Sequence, residues 1–121
     1  MININKFNKL LSINLKNNNY TKNISFIIDN FYDKNNFFDK DISLPIALFY
    51  LDKYKNNNII KEKDFNDIVI SCLILSNKFI EESTIVSNHK FELKILENLN
   101  WNLFINENEY NYWNNNIKLI V

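Results

Sequence analysis

The chain has 121 residues, enough for one domain around one core, and is 46% hydrophobic and 15% aromatic. It has no glycine and one proline, which excludes glycine-dependent phosphate loops and dinucleotide fingerprints and disfavours turn-rich barrels and sandwiches. Fourteen lysines balance fourteen acids and arginine is absent, so the basic, arginine-bearing surface typical of nucleic-acid modules is not expected.

Read in chain order, the apolar residues fall at helical spacing throughout. Phe7, Leu10, Leu11 and Ile13 give a short amphipathic N-terminal helix bearing Lys6, Lys9 and Lys16. Residues 1–19 form this extension, and residues 20–121 form the main bundle. Thr21 caps a second helix with Ile24, Ile27, Ile28 and Phe31 on one face. The third opens at Ser43-Leu44-Pro45, a capping hydroxyl followed by proline in the first turn. It continues through Ile46, Leu48, Phe49 and Leu51 to Lys55, where an Asn triplet stops it. The fourth spans roughly Lys61 to Glu82 and is apolar all round from Ile68 to Leu75. Its β-branched content also suits a buried strand, but Phe65 and Phe79-Ile80 extend the helical pattern beyond strand length. The fifth runs from about Val86 to Asn100 with Phe91, Ile95, Leu96 and Leu99 inward. The last starts at Asn106, with Glu109 as capping-box partner and Tyr110 and Trp113 as its inward stripe. The expected architecture is all-α: a five-helix bundle around a central buried helix, the fourth, plus the short N-terminal helix.

Composition accounts for several tempting features. Asn occurs 26 times and Ile 19 times, while Ala, Pro, Gly and Arg together contribute two residues. This follows AT-rich coding, and the Asn triplets at 17–19, 56–58 and 114–116 read as surface loops or helix ends. Cys72 reads as a small buried apolar residue, and His89 as an exposed residue at the start of the fifth helix. One Cys and one His make neither a disulfide nor a zinc site. No metal and no cofactor are expected, and no serine has a base placed to activate it. The longest apolar run falls far short of the ~20 residues that span a bilayer, and the N-terminus lacks a signal-peptide core. An intracellular protein, in the nucleus or cytoplasm and away from the membrane, is the natural reading.

Three phrases taken together are more specific: ALFYLDKY at 47–54, SNKFIEE at 76–82 and FELKILENLNWNL at 91–103. Their order and helical setting resemble the cyclin box, and the chain length most resembles the single-box fungal cyclins of the phosphate-regulation type. The resemblance covers about Tyr20 to Trp113. It implies a regulatory subunit, not an enzyme, with no catalytic residues of its own. Such a subunit binds a cyclin-dependent protein kinase beside its C-helix and activates it, in control of the cell cycle and division or in nutrient signalling. Carried over by position, Lys78 and Glu92 are the charged pair directed at the kinase backbone. Phe79, Leu96, Trp101 and Leu103 match the apolar surface that receives the kinase helix, and Asp52 has a structural role against a basic residue, here Lys22 or Lys34.

The chain departs from that pattern in places. Lys53 stands where the family has arginine, Asn77 replaces a serine, and the connection from SNKFIEE to Glu92 is short. The apolar substrate-docking motif and the second box are missing. Two alternatives stand beside the kinase regulator. One is a cyclin-fold, transcription-factor-like protein binding DNA and protein, which the four lysines and no acid of residues 1–22 favour but zero net charge opposes. The other is a reduced cyclin-fold scaffold without kinase activation.

Overall fold

The computed structural model describes residues 3, 6–7, 9, 24–35, 39–81 and 91–120. The described residues contain α-helices and no strand: α1 (Ile24–Lys34), α2 (Lys40–Asn57), α3 (Phe65–Glu81), α4 (Glu92–Asn98) and α5 (Glu107–Ile120). A 3-10 turn, Glu62–Asp64, leads into α3. The all-α expectation holds. The expected cap Thr21, the basic candidate Lys22, the stretch Val86 to Lys90 with His89, and Leu10, Leu11 and Ile13 lie outside the described residues. Of the N-terminal segment, Lys6, Phe7 and Lys9 are helical. Phe7 is fully buried in the common core, and the Asn3 amide donates to the Ile120 carbonyl, 2.6 Å away at the end of α5.

The start of α2 differs from the sequence expectation. The helix begins at Lys40, capped by Asp39, whose carboxylate accepts from the Asp41 amide at 3.0 Å. A carboxylate at the N-cap, with Asp41 in the first turn, answers both the free amides and the helix dipole. Ser43 is therefore not a cap. It is fully buried, its hydroxyl bonded to the Tyr32 hydroxyl of α1. Of the Asn triplets, 17–19 lies outside the described residues and 56–58 ends α2 as expected, with Asn56 and Asn57 in its last turn and Asn58 as its C-cap, whereas 114–116 lies inside α5, which runs on to bury Ile120. There Asn116 turns its amide back onto the Tyr112 carbonyl at 2.7 Å.

The centre of the bundle is α2. Every residue from Ser43 to Leu51 is buried, and the helix packs against α3, α5 and α4. The fourth predicted segment, now α3, buries Phe65, Ile68, Val69, Cys72, Leu73 and Leu75 but leaves Asp67, Ile70, Ile74 and Lys78 half-exposed along one strip. Its apolar run is thus not a mark of all-round burial, because two isoleucines lie on its outward side. The polar residues on its buried face are satisfied within the helix. Ser71 donates to the Asp67 carbonyl, while Ser76 and Asn77 donate to that of Leu73. Such back-bonding is what lets hydroxyls and amides enter a core.

Pro45 is the sixth residue of α2 and sits inside the helix. A proline there removes the amide that would have donated to the carbonyl four residues earlier, which is that of Asp41. Tyr110 of α5 supplies the missing donor, its hydroxyl lying 3.3 Å from the Asp41 oxygen. Packing of α2 against α5 thus repairs a defect internal to α2. Tyr110→Phe is expected to lower stability by about 0.5–1 kcal/mol in the natural background. In a Pro45→Ala background, where an amide restores the helical bond, the same change is expected to have no measurable effect; a urea-denaturation double-mutant cycle checks this.

Candidate functional site

Lys78 and Glu92 come from different helices and meet. Lys78 stands in the last turn of α3, where a cation offsets the negative end of the helix dipole, and Glu92 in the first turn of α4, where an anion offsets the positive end. The Lys78 ammonium donates to Glu92 Oε1. The lysine side chain is 18% exposed and the glutamate 6%, so the pair is largely withdrawn from water. The other carboxylate oxygen, Glu92 Oε2, is buried with no hydrogen-bond donor among the described residues. A buried ion pair with one oxygen unfilled is electrostatically incomplete, because a buried acceptor without a donor carries a desolvation penalty of about 1–3 kcal/mol.

The far end of α4 is a tightly hydrogen-bonded corner. Asn100 and Trp101 are both left-handed, at φ 53° and 61°, and neither is glycine. The Trp101 amide donates to the Leu96 carbonyl at 2.8 Å and the Asn100 amide to Glu97 at 3.0 Å, the paired bonds of a Schellman cap. In a chain without glycine, asparagine fills the left-handed position because its short polar side chain tolerates it best. Trp101 has no such excuse: a bulky residue held there costs on the order of 1–3 kcal/mol and persists only when its surroundings fix it. Its side chain is nevertheless 62% exposed.

The remaining expected site residues divide by exposure. Phe79, Leu96 and Leu103 are half-buried and packed on the core, so each offers only an outer edge. Leu103 is further tied down by the fully buried Tyr50 of α2, whose hydroxyl donates to the Leu103 carbonyl at 2.7 Å. Sequence reasoning did not single out Tyr50 or Asn100; the absence of glycine beyond α4 was the only trace of the latter. Asp52 pairs with Lys55 of its own helix at 3.8 Å, not with Lys34, and also accepts from Asn56. A lysine one turn away reaches it without crossing to another helix. Cys72 is buried, as expected of a small apolar residue. The capping box at α5 is complete: Glu109 N–H donates to Asn106 Oδ1 at 2.8 Å, and Asn106 N–H to Glu109 Oε1 at 3.2 Å. Among the described residues no cluster of His, Cys, Asp or Glu is placed to hold a metal ion, and no helix is long and apolar enough to cross a membrane.

Compared with known proteins, the chain matches no family model, no curated protein and no solved structure.

Two outcomes are expected of these groups. Lys78→Met strands the Glu92 carboxylate and should cost about 3 kcal/mol of stability, whereas adding Glu92→Leu should recover most of it, as read by chemical denaturation. Burial pushes the Tyr32 hydroxyl up from 10.0 to about 12, partly offset by its bond to Ser43, and burial likewise raises the Tyr50 hydroxyl and the Cys72 thiol. These groups stay protonated in the folded state at pH values where the unfolded chain releases its protons. Stability is therefore fully present below the unfolded values and falls as pH rises from 10 towards 12 for Tyr32. Thermal melts between pH 7 and 11 should show a plateau followed by a decline on the alkaline side.

Proposed function

We propose that the protein is a cyclin-like regulatory subunit that binds a cyclin-dependent protein kinase beside its C-helix and biases it towards its active arrangement. The observation that carries this reading is the Lys78–Glu92 pair, held between two helix ends with Glu92 Oε2 left without a donor among the described residues. A backbone amide of the partner docking there would fill that oxygen. On α3, on α4 and on the corner beyond it, the edges of Phe79, Leu96 and Leu103 and the broadly exposed Trp101 supply apolar surface. Trp101 is the residue type most often found to dominate binding energy, and its backbone is already fixed. The described residues of the three phrases that resemble the cyclin box lie on α2, on α3 (residues 76–81) and on α4 with its flanking residues.

The work of such a subunit is conformational. It favours the kinase arrangement in which the C-helix is turned inward, so that the kinase's own Lys–Glu pair forms and its activation loop is ordered. The subunit contributes no reacting group. The interface this requires is large, on the order of 2,000 Å² in total. The setting proposed with it is the nucleus or cytoplasm, in cell-division or nutrient-signalling control.

The test is co-expression of the full chain with each cyclin-dependent kinase of the source organism, followed by co-purification and a phosphorylation assay. One kinase should be retained and stimulated. Lys78→Ala, Glu92→Ala and Trp101→Ala should each weaken capture by about tenfold or more, the last without loss of fold because its ring faces water. A folded, helical chain that retains no kinase would overturn the reading.

A further inference from the structure

A cavity of about 430 Å³ opens between the second half of α2, the corner beyond α4 and the first turn of α5. A space of that size holds a small molecule. Phe49 and Lys53 line it from α2, Asn98 from the end of α4, Asn102 and Phe104 from the segment that follows, and Glu109 from α5.

Three of these residues keep a donor that no acceptor among the described residues takes up. Asn98 spends its carboxamide oxygen on Asn58 Nδ2 at 3.0 Å, and Asn58 is itself oriented by donating to the Tyr54 carbonyl at 3.0 Å. What Asn98 has left is Nδ2, which is buried and without an acceptor among the described residues. Asn102 spends its oxygen on the Phe104 amide at 3.1 Å, so it too has its nitrogen to offer. Lys53 forms no ion pair among the described residues. Its ammonium lies 5.3 Å from the centre of the buried Phe49 ring, whose face attracts a cation but takes no conventional hydrogen bond. Two carboxamides with their oxygens tied and a cation without an anion thus line one cavity, and all three ask for an acceptor.

Charge narrows what that acceptor is. The charged residues of the lining are Lys53 and Glu109. The negative charge of Glu109 is answered elsewhere: Oε1 accepts from the Asn106 amide at 3.2 Å, in the first turn of α5, where the helix dipole favours an anion. Lys53 is the charge still unanswered. A carboxylate brings one negative charge and two oxygens with about four lone-pair sites, and its bonds to a lysine are charge-assisted. A phosphate dianion would bring a second negative charge into a cavity that Glu109 also lines, with one lysine to offset it. Phe104, 63% exposed, adds an apolar wall to the same space.

We propose that this cavity binds a monocarboxylate with an apolar body, its carboxylate held by Lys53, Asn98 and Asn102 and its body laid against Phe104. The site uses neither Lys78 nor Glu92 and is independent of the kinase reading. Two sources present the same chemistry, a free organic acid and the C-terminus of a peptide.

The experiment is a titration of the full chain, without a kinase, followed by nuclear magnetic resonance, with 3-phenylpropanoate as the probe. A dissociation constant of about 1–5 mM is expected for a ligand this small, with shifts in the side-chain NH₂ signals of Asn98 and Asn102. Lys53→Met and Asn102→Asp should each weaken binding by about tenfold, the second while keeping an oxygen for the Phe104 amide. Both residues are exposed, so the melting temperature should move by less than about 2 °C. An acetylated tripeptide ending in phenylalanine with a free carboxylate supplies the other arm. Binding about tenfold tighter than the probe assigns the site to a chain terminus; equal or weaker binding assigns it to a free acid. No binding by the folded natural chain at about ten times the expected constant would overturn the proposal. So would 3-phenylpropanamide binding as well as the acid, variants that bind within about twofold of the natural chain, or phenyl phosphate binding more tightly than the carboxylate.

Discussion

The structure depends on one constraint: from Ser43 to Leu51, α2 has no side left for water. A helix buried over nine consecutive residues must be covered by neighbours on every face, and α3, α5 and α4 arrange themselves to do so. Its polar groups must then find partners inside the protein. Ser43 finds Tyr32, Tyr50 finds the Leu103 carbonyl, and the carbonyl orphaned by Pro45 finds Tyr110. Each of these bonds ties α2 to a different element, the first two from its buried stretch and the last at its exposed first turn, so together they fix the register of its packing.

That same constraint builds the candidate site. Tyr50 reaches from the buried helix to the corner after α4 and holds the segment that exposes Trp101 and Phe104. Packing of α3 and α4 in turn brings Lys78 to Glu92, at helix ends whose dipoles favour those charges. The pair is poorly solvated and one of its oxygens lacks a donor among the described residues, an arrangement that carries a stability cost. That cost stands at one end of α4 and a strained, exposed tryptophan beyond the other, two departures from ordinary folding economy on one short helix and its corner.

Much of the helical plan could be read from the chain. The period of the apolar residues located all five helices, and the Asn106/Glu109 capping box was visible letter by letter because its bonds join residues three apart. Errors arose where a local signal competed with a better one nearby. Ser43-Leu44-Pro45 looked like a helix start, but Asp39 offers a stronger cap and a buried site claims the serine. Asn114–Asn116 looked like a helix end, but Ile117 and Ile120 beyond it pack inward and carry α5 onward. The assignment of the centre to α3 rested on its hydropathy, and hydropathy does not say which of two apolar helices is covered by the others.

The sequence by itself determined the class of fold: helical periodicity, no glycine and balanced charge leave little besides an all-α bundle. It also marked Lys78, Glu92 and Trp101 as residues of interest. Only the tertiary structure decided that α2 lies at the centre, that Asp52 is served by Lys55, and that the Lys78–Glu92 pair closes with one oxygen unfilled among the described residues. It alone revealed the exposure of Phe104 and Trp101 on either side of the Leu103 carbonyl that Tyr50 holds. The reason is physical. Periodicity and capping are written over a few neighbouring residues, whereas burial, ion-pair completion and exposure are set by residues tens of positions away, whose arrival no local pattern records.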